Sequence, residues 1–142
     1  MTERSATVVW HGDLKNGGGT IAKAPSGAFG PLDVTWASRA EPPDGRTSPE
    51  ELVASAWAAC FAMSLSNVLA KAETPPDRLE TSATVTFQPG QGIIKGALTV
   101  RGTVPGVDAG GFVAAAEDAK QNCPVSKALT GIPEVTLEAT LD

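Results

Sequence analysis

The chain has 142 residues, a formal net charge of -5, 42% hydrophobic and 19% charged residues. That profile fits one ordinary globular domain, residues 1–142, and excludes a disordered tail. With no Tyr, 5% aromatics and an acidic balance, the chain lacks the stacking platforms and positive charge that nucleic acid or an anionic membrane would require.

The first third reads as β-structure. Residues 6–10 form a strand candidate, a polar and Gly-rich turn covers residues 11–19, and residues 20–22 return. Residues 33–37 alternate as a third strand, and the run Glu41-Pro42-Pro43-Asp44-Gly45-Arg46 breaks it. A helix start follows: Ser48 as N-cap, Pro49 at the first helical position, and Glu51 completing a capping box. Residues 50–72 contain no Gly or Pro and predict one helix of about 22 residues, roughly 33 Å long. Leu52, Val53, Ala56, Trp57, Ala59, Cys60, Met63, Leu65 and Val68 make it apolar nearly all round, which predicts a buried central helix also covered by a partner subunit.

Thr74-Pro75-Pro76 ends that helix. Residues 79–87 alternate, with Thr81, Ala83, Val85 and Phe87 on one face, and residues 93–104 complete a hairpin around Pro89-Gly90-Gln91-Gly92. Asp108 caps a helix over residues 112–121. Cys123-Pro124 breaks it and starts a short helix to about Ala128 or Leu129. Residues 135–141 close the chain as a strand. The predicted order, βββ-α-ββ-α-α-β, is α+β rather than a doubly wound parallel sheet.

Two cysteines, Cys60 and Cys123, are too few for a disulfide framework. No run approaches 18 apolar residues without charge, so no transmembrane span is expected. The first residues lack the apolar core of a signal peptide. The expected compartment is reducing cytoplasm, where a thiol pair reads as catalytic, redox-sensing or metal-binding. Cys60 lies mid-helix among Ala58, Ala59 and Phe61; alone it reads as a core thiol. An ordinary thiol is only a few per cent thiolate at neutral pH, and no Lys or Arg lies within two turns on that helix, so an activating cation must come from elsewhere. Cys123 precedes Pro124 at a predicted helix N-terminus, whose free N–H groups favour thiolate; it reads equally as a plain cap. The two stand 63 residues apart, so only the tertiary fold can join them. If they meet, one thiolate attacks an oxidant and the other thiol resolves the sulfenic acid to a disulfide. The single His, His11, reads as a turn residue. With two Cys it lacks zinc spacing, and neither a Ser–His–Asp triad nor a phosphate loop is present.

Ser48-Pro49-Glu50-Glu51-Leu52, then Ala58-Ala59-Cys60-Phe61, then Cys123-Pro124-Val125-Ser126-Lys127-Ala128-Leu129 resemble the OsmC/Ohr family of thiol peroxidases. Trp10-His11-Gly12-Asp13-Leu14-Lys15-Asn16-Gly17 is more similar to the OsmC branch (osmotically inducible protein C) than to the organic hydroperoxide resistance branch. The resemblance implies antiparallel β-sheets around a long central helix, an intertwined homodimer with active sites at the subunit interface, and a metal-free, cofactor-free peroxidase. Such an enzyme reduces organic (alkyl or lipid) hydroperoxides to alcohols and is reset by an external dithiol of lipoyl type. It implies Cys60 as peroxidatic and Cys123 as resolving cysteine, with Arg39 and Glu50 as the activating pair. Arg46 is a lesser candidate, because residues 42–46 are about one residue longer than the family spacing suggests. A unit charge about 4 Å from a thiolate at an effective dielectric near 20 contributes about 4 kcal/mol before desolvation opposes it. Glu50 and Cys60 are ten residues apart, about 15 Å along one helix and about 80° around it. One guanidinium cannot readily touch both, so the expectation is that Cys60 of one subunit meets Arg39–Glu50 of the other. Ala56, Trp57, Phe61, Met63 and Phe29 are the candidate pocket walls. The competing readings are a dimer that binds a small apolar ligand with inert cysteines, and a redox sensor whose disulfide changes its shape.

Overall fold

The computed structural model describes residues 1–142. Ten elements follow in order: β1 (Val8–His11), β2 (Gly18–Ile21), β3 (Leu32–Val34), α1 (Trp36–Ala40), α2 (Pro49–Lys71), β4 (Arg78–Gln88), β5 (Gly92–Thr103), α3 (Ala109–Asn122), α4 (Pro124–Ala128) and β6 (Glu134–Leu141). The α+β class is as expected, and the chain falls into two compact units, Met1–Leu52 and Val53–Asp142.

In the first unit β1, β2 and β3 form an antiparallel sheet in chain order. His11, expected in the turn, ends β1 opposite Gly18. The strand expected over residues 33–37 stops at Val34, and residues 36–40 form α1 instead. The cause is a reciprocal cap: Thr35 Oγ1 accepts from the Ser38 N–H at 3.0 Å, and Ser38 Oγ accepts from the Thr35 N–H at 2.9 Å. Those two bonds satisfy donors that a continuing strand would leave to its neighbour. The element order therefore gains one helix over the sequence expectation. Thr47 bridges Val34 in parallel, and the start of α2 is capped as expected, with Ser48 Oγ accepting from the Glu51 N–H at 3.1 Å. The Glu51 carboxylate also accepts the Thr47 hydroxyl at 2.8 Å.

In the second unit β4 and β5 make a long antiparallel hairpin, and β5 is the central strand. Its other neighbour, β6, runs parallel to it, from Lys95↔Glu134 to Gly102↔Leu141. The expected antiparallel pairing is corrected at this one pair. A parallel pair needs a long crossover, and α3 and α4 supply it. The inward face of β4 carries Thr81, Ala83, Val85 and Phe87 as expected, alternating with exposed positions. Trp57, Phe61, Leu65 and Leu69, spaced four apart on α2, form the buried stripe, packed with Leu98, Val100 and Val104 and with Phe112, Ala116 and Ala119 of α3. Two rings close onto glycines of β5. A Cβ on Gly96 would lie 2.5 Å from the Trp57 ring, and one on Gly102 would lie 2.6 Å from that of Phe112. Helix α2 is not buried all round, however: Met63 is 74% exposed, and Ala59 is exposed too. By length and composition alone α2 could cross a membrane, contrary to the sequence expectation; in this fold it carries the core stripe.

Candidate active site

Residues 53–142 bring the two cysteines together. Cys60 sits one helical turn after Trp57 on α2, flanking the core stripe, and is half-buried. Cys123 is both the C-cap of α3 and the N-cap of α4. Its N–H donates to Ala119 O at 2.9 Å, and Pro124 occupies the first position of α4. The junction is tight because proline cannot continue α3 but suits the start of a helix. Cys123 is fully buried, and both thiols are free.

The Cys60 and Cys123 thiols interact, with the proton favoured on Cys60, and the pair divides its charge unequally. Burial pushes the Cys60 thiol up, the interaction with the Cys123 sulfur pushes it further, the Val125 N–H pulls it down, and the charge at Cys123 adds the smallest upward push. Burial opposes ionisation of Cys123 as well. The hydrogen bond from Cys60, the Ser126 N–H and hydroxyl and the Val125 N–H together outweigh it and hold Cys123 below the ordinary thiol range. None of these closes a formal capping bond to the sulfur; they act as oriented dipoles around it. In a single chain, then, the better-stabilised thiolate is the buried one.

A cavity of about 790 Å³ opens beside Cys60, between α2 and the end of α3. Ala56, Ala59, Met63 and Pro124 give it apolar wall, and Ser64, Asn67, Lys71, Asp118 and Asn122 give it polar wall. Of the expected walls, Ala56 and Met63 line it. Trp57 and Phe61 do not, because both belong to the inward stripe and are 1% and 0% exposed. Phe29 lines a separate cavity within residues 1–52, with Glu3, Arg4 and Pro25.

Residues 1–52 hold the expected ion pair. Arg39, in the last turn of α1, donates through Nε at 2.9 Å and Nη2 at 2.8 Å, both to Glu50 Oε1. Glu50 lies in the first turn of α2 and is 7% exposed. Its Oε2 is buried and has no hydrogen-bond partner, an unusual state for a carboxylate oxygen. Arg46 pairs instead with the exposed Asp44 at 2.9 Å, so of the two arginines only Arg39 pairs with Glu50. No three His, Cys, Asp or Glu side chains converge as a metal site would need.

One feature escaped the sequence. The Trp57 indole N–H donates to Ser126 Oγ at 2.8 Å. The available signal was the position of Ser126 three residues after Cys123, where a side chain reaches back to a helix cap.

Residues 42–138 match the family model described as OsmC-like protein. The chain is 39% identical over 135 residues to the peroxiredoxin OsmC of Escherichia coli (strain K12), covering 93% of this chain and 92% of that one. Among solved structures, an organic hydroperoxide resistance protein OsmC from Legionella pneumophila aligns with a TM-score of 0.74 at 22% identity, covering 99% of both chains. An organic hydroperoxide resistance protein from Elizabethkingia anophelis aligns with a TM-score of 0.71 at 24% identity over 99% of both. These two likenesses speak to the fold; the family match and the 39% relative speak to membership. The chain belongs to the OsmC-like protein family.

Proposed function

We propose that residues 1–142 act as one OsmC-like peroxidase domain that reduces organic hydroperoxides through Cys60. The peroxiredoxin relative supports the peroxidase activity. The observation that carries the assignment of roles is the difference in access: Cys60 lines the cavity, while Cys123 is 0% exposed behind it. The Cys60 thiolate attacks the distal oxygen of R–O–O–H. An S–O bond forms, the O–O bond breaks, and the departing alkoxide takes a proton to become the alcohol. Cys60 is now a sulfenic acid. The Cys123 thiolate attacks the Cys60 sulfur, the S–S bond forms, and hydroxide leaves and is protonated to water. An external dithiol, of lipoyl type, reduces the disulfide in two exchange steps and is itself oxidised.

The charge must sit on Cys60 before it attacks, and residues 53–142 favour it on Cys123. Arg39 is the cation for this task, since a guanidinium can hold Glu50 and face a thiolate at once. Helix α2 is unbroken from Pro49 to Lys71, so the ten residues from Glu50 to Cys60 span about 15 Å. The cation therefore comes from a second copy in a homodimer. Two further observations support that dimer. All four residues of β1 are exposed, Val8, Val9 and Trp10 among them, and Met63 is uncovered; apolar surface of this kind marks an interface. Two free thiols suit a reducing, cytoplasmic setting.

The test is a thiol count. One equivalent of cumene hydroperoxide should consume two thiols per chain, dihydrolipoamide should restore them, and Cys60→Ser should abolish turnover. Thiols that survive the hydroperoxide would favour a ligand-binding dimer, and slow loss without turnover would favour a sensor. Full multi-turnover activity in Cys60→Ser would overturn the mechanism.

A further inference from the structure

The steps above make no use of Trp57 and Ser126, yet their placement repeats that of the thiols. Trp57 and Cys60 are three apart on α2, and Cys123 and Ser126 are three apart across the first turn of α4. Residues three apart share a helix face. Two rungs therefore join α2 to the start of α4: thiol on thiol, and indole N–H on hydroxyl at 2.8 Å. Trp57 is 1% exposed, so its N–H needs a partner within the protein, and Ser126 supplies it. The ring is also backed by β5, where even a methyl group on Gly96 would meet it at 2.5 Å. The second rung is thus held from both sides and fixes the register of the first.

A serine hydroxyl has one proton and two lone pairs. The Trp57 N–H occupies a lone pair, which leaves the proton to point elsewhere. Ser126 holds the third position of α4, from which a side chain reaches back to the cap residue, here Cys123. From there the hydroxyl favours the ionised form of the Cys123 sulfur.

We propose that Trp57 and Ser126 are positioning residues for the resolving step: Trp57 orients the Ser126 hydroxyl, and that hydroxyl supports the Cys123 sulfur in its attack on Cys60. The proposal rests on the roles given to the two cysteines under Proposed function. In the step concerned, the Cys123 thiolate forms the S–S bond, the S–O bond of the Cys60 sulfenic acid breaks, and hydroxide leaves to become water. A larger thiolate fraction speeds this attack at neutral pH, and a lower basicity slows it slightly.

The experiment is rapid quench of the full-length protein after one equivalent of cumene hydroperoxide, across a pH series, with intact-mass detection of the Cys60 sulfenic acid and of the disulfide. Ser126→Ala should move the pH midpoint of disulfide formation upward. The step should become about threefold slower below that midpoint and about threefold faster above it, because the more basic thiolate is scarcer but more nucleophilic. Ser126→Thr keeps the hydroxyl and should keep the wild-type profile. Trp57→Phe keeps the ring without its N–H and should shift the midpoint the same way by less. If Trp57→Phe does not fold, the two Ser126 variants decide alone. Slowing at every pH with an unchanged midpoint in Ser126→Ala would reduce the serine to packing and overturn the proposal, as would a Ser126→Thr profile matching Ser126→Ala. A wild-type protein that never forms the disulfide would instead sink the assignment of the cysteines, and this proposal with it.

Discussion

Residues 1–52 and residues 53–142 are ordered by different means. The second unit has a continuous apolar core in which Trp57, Phe61, Leu65, Leu69, Leu98 and Phe112 are 1% exposed or less. In the first unit the buried side chains are Ile21, Ala24, Ser38 and the charged Glu50, while Val8, Val9, Trp10, Leu14 and Phe29 face outward. Its order comes from hydrogen bonds: the Thr35–Ser38 cap, the Ser38 hydroxyl donating to Thr47 O at 2.8 Å, and the Arg39–Glu50 pair. In the proposed mechanism the chemistry divides along the same line. The sulfurs that would make and break bonds need fixed geometry and sit in the packed unit. The charge pair sits in the unit with uncovered apolar surface and an unpartnered carboxylate oxygen, the part of the chain that has most to gain from a second copy.

The division is most strongly tested at Arg39. Arg39→Ala should slow oxidation of Cys60 by hydroperoxide about 100-fold at neutral pH, the size expected when a nearby cation no longer favours a thiolate. Disulfide formation from preformed sulfenic acid, a property of residues 53–142, should keep its rate. The variant should also lose about 3 kcal/mol of stability, because Glu50 is left buried without its partner. Arg39→Ala/Glu50→Gln should recover that stability in denaturant melts but not the activity. If activity returned with stability, Arg39 would be only a structural cation.

Gly96 tests the packed unit. Gly96→Ala places a methyl group against the Trp57 ring. The ring cannot yield cheaply, being fully buried and tied to Ser126. A loss of about 1–3 kcal/mol is expected, read by chemical denaturation. Arg39 belongs to the other unit, so if each unit is stabilised by its own contacts, combining Gly96→Ala with Arg39→Ala should give additive losses. Strong coupling between them would mean that the units are not independent in stability.

The two units also differ in how much of them the sequence made legible. In residues 53–142 the period-two pattern of β4, the Gly/Pro-free run of α2 and the Cys-Pro break between α3 and α4 are local signals, and each element forms close to its expected bounds. The parallel pairing of β6 with β5 was not legible, because strand polarity depends on the crossover and not on the strand's own residues. In residues 1–52 the alternation over 33–37 suggested a strand where two reciprocal hydrogen bonds start α1 instead. There the pattern of apolar residues is a weak guide, since little of it is buried. The site followed the same rule. Cys60, Cys123, Arg39 and Glu50 came from motifs; within residues 1–52 the structure pairs Arg39 with Glu50, and within residues 53–142 it brings Cys60 to Cys123. Which of Ala56, Trp57, Phe61 and Met63 face the cavity was set by the rotation of α2, and apolar composition on nearly every side of a helix cannot reveal that.

The finest test of the comparison is the resting charge on Cys60. Burial raises the Cys60 thiol first, and it is raised further by its hydrogen bond to Cys123 and by the charge there. Cys123→Ser removes the charged acceptor and leaves a hydroxyl that does not ionise at neutral pH and that can donate to Cys60. Both changes favour the Cys60 thiolate, so its pKa should fall. A lower pKa means more thiolate at a given pH. Alkylation of Cys60 by iodoacetamide should therefore show its midpoint at lower pH in Cys123→Ser than in the wild type. The shift should persist in the Arg39→Ala background, because its cause lies wholly within residues 53–142. An unchanged midpoint would mean that the sulfurs do not share a proton. Burial would then be the packed unit's only handicap on Cys60, and the unequal division of charge between the two sulfurs would be overturned.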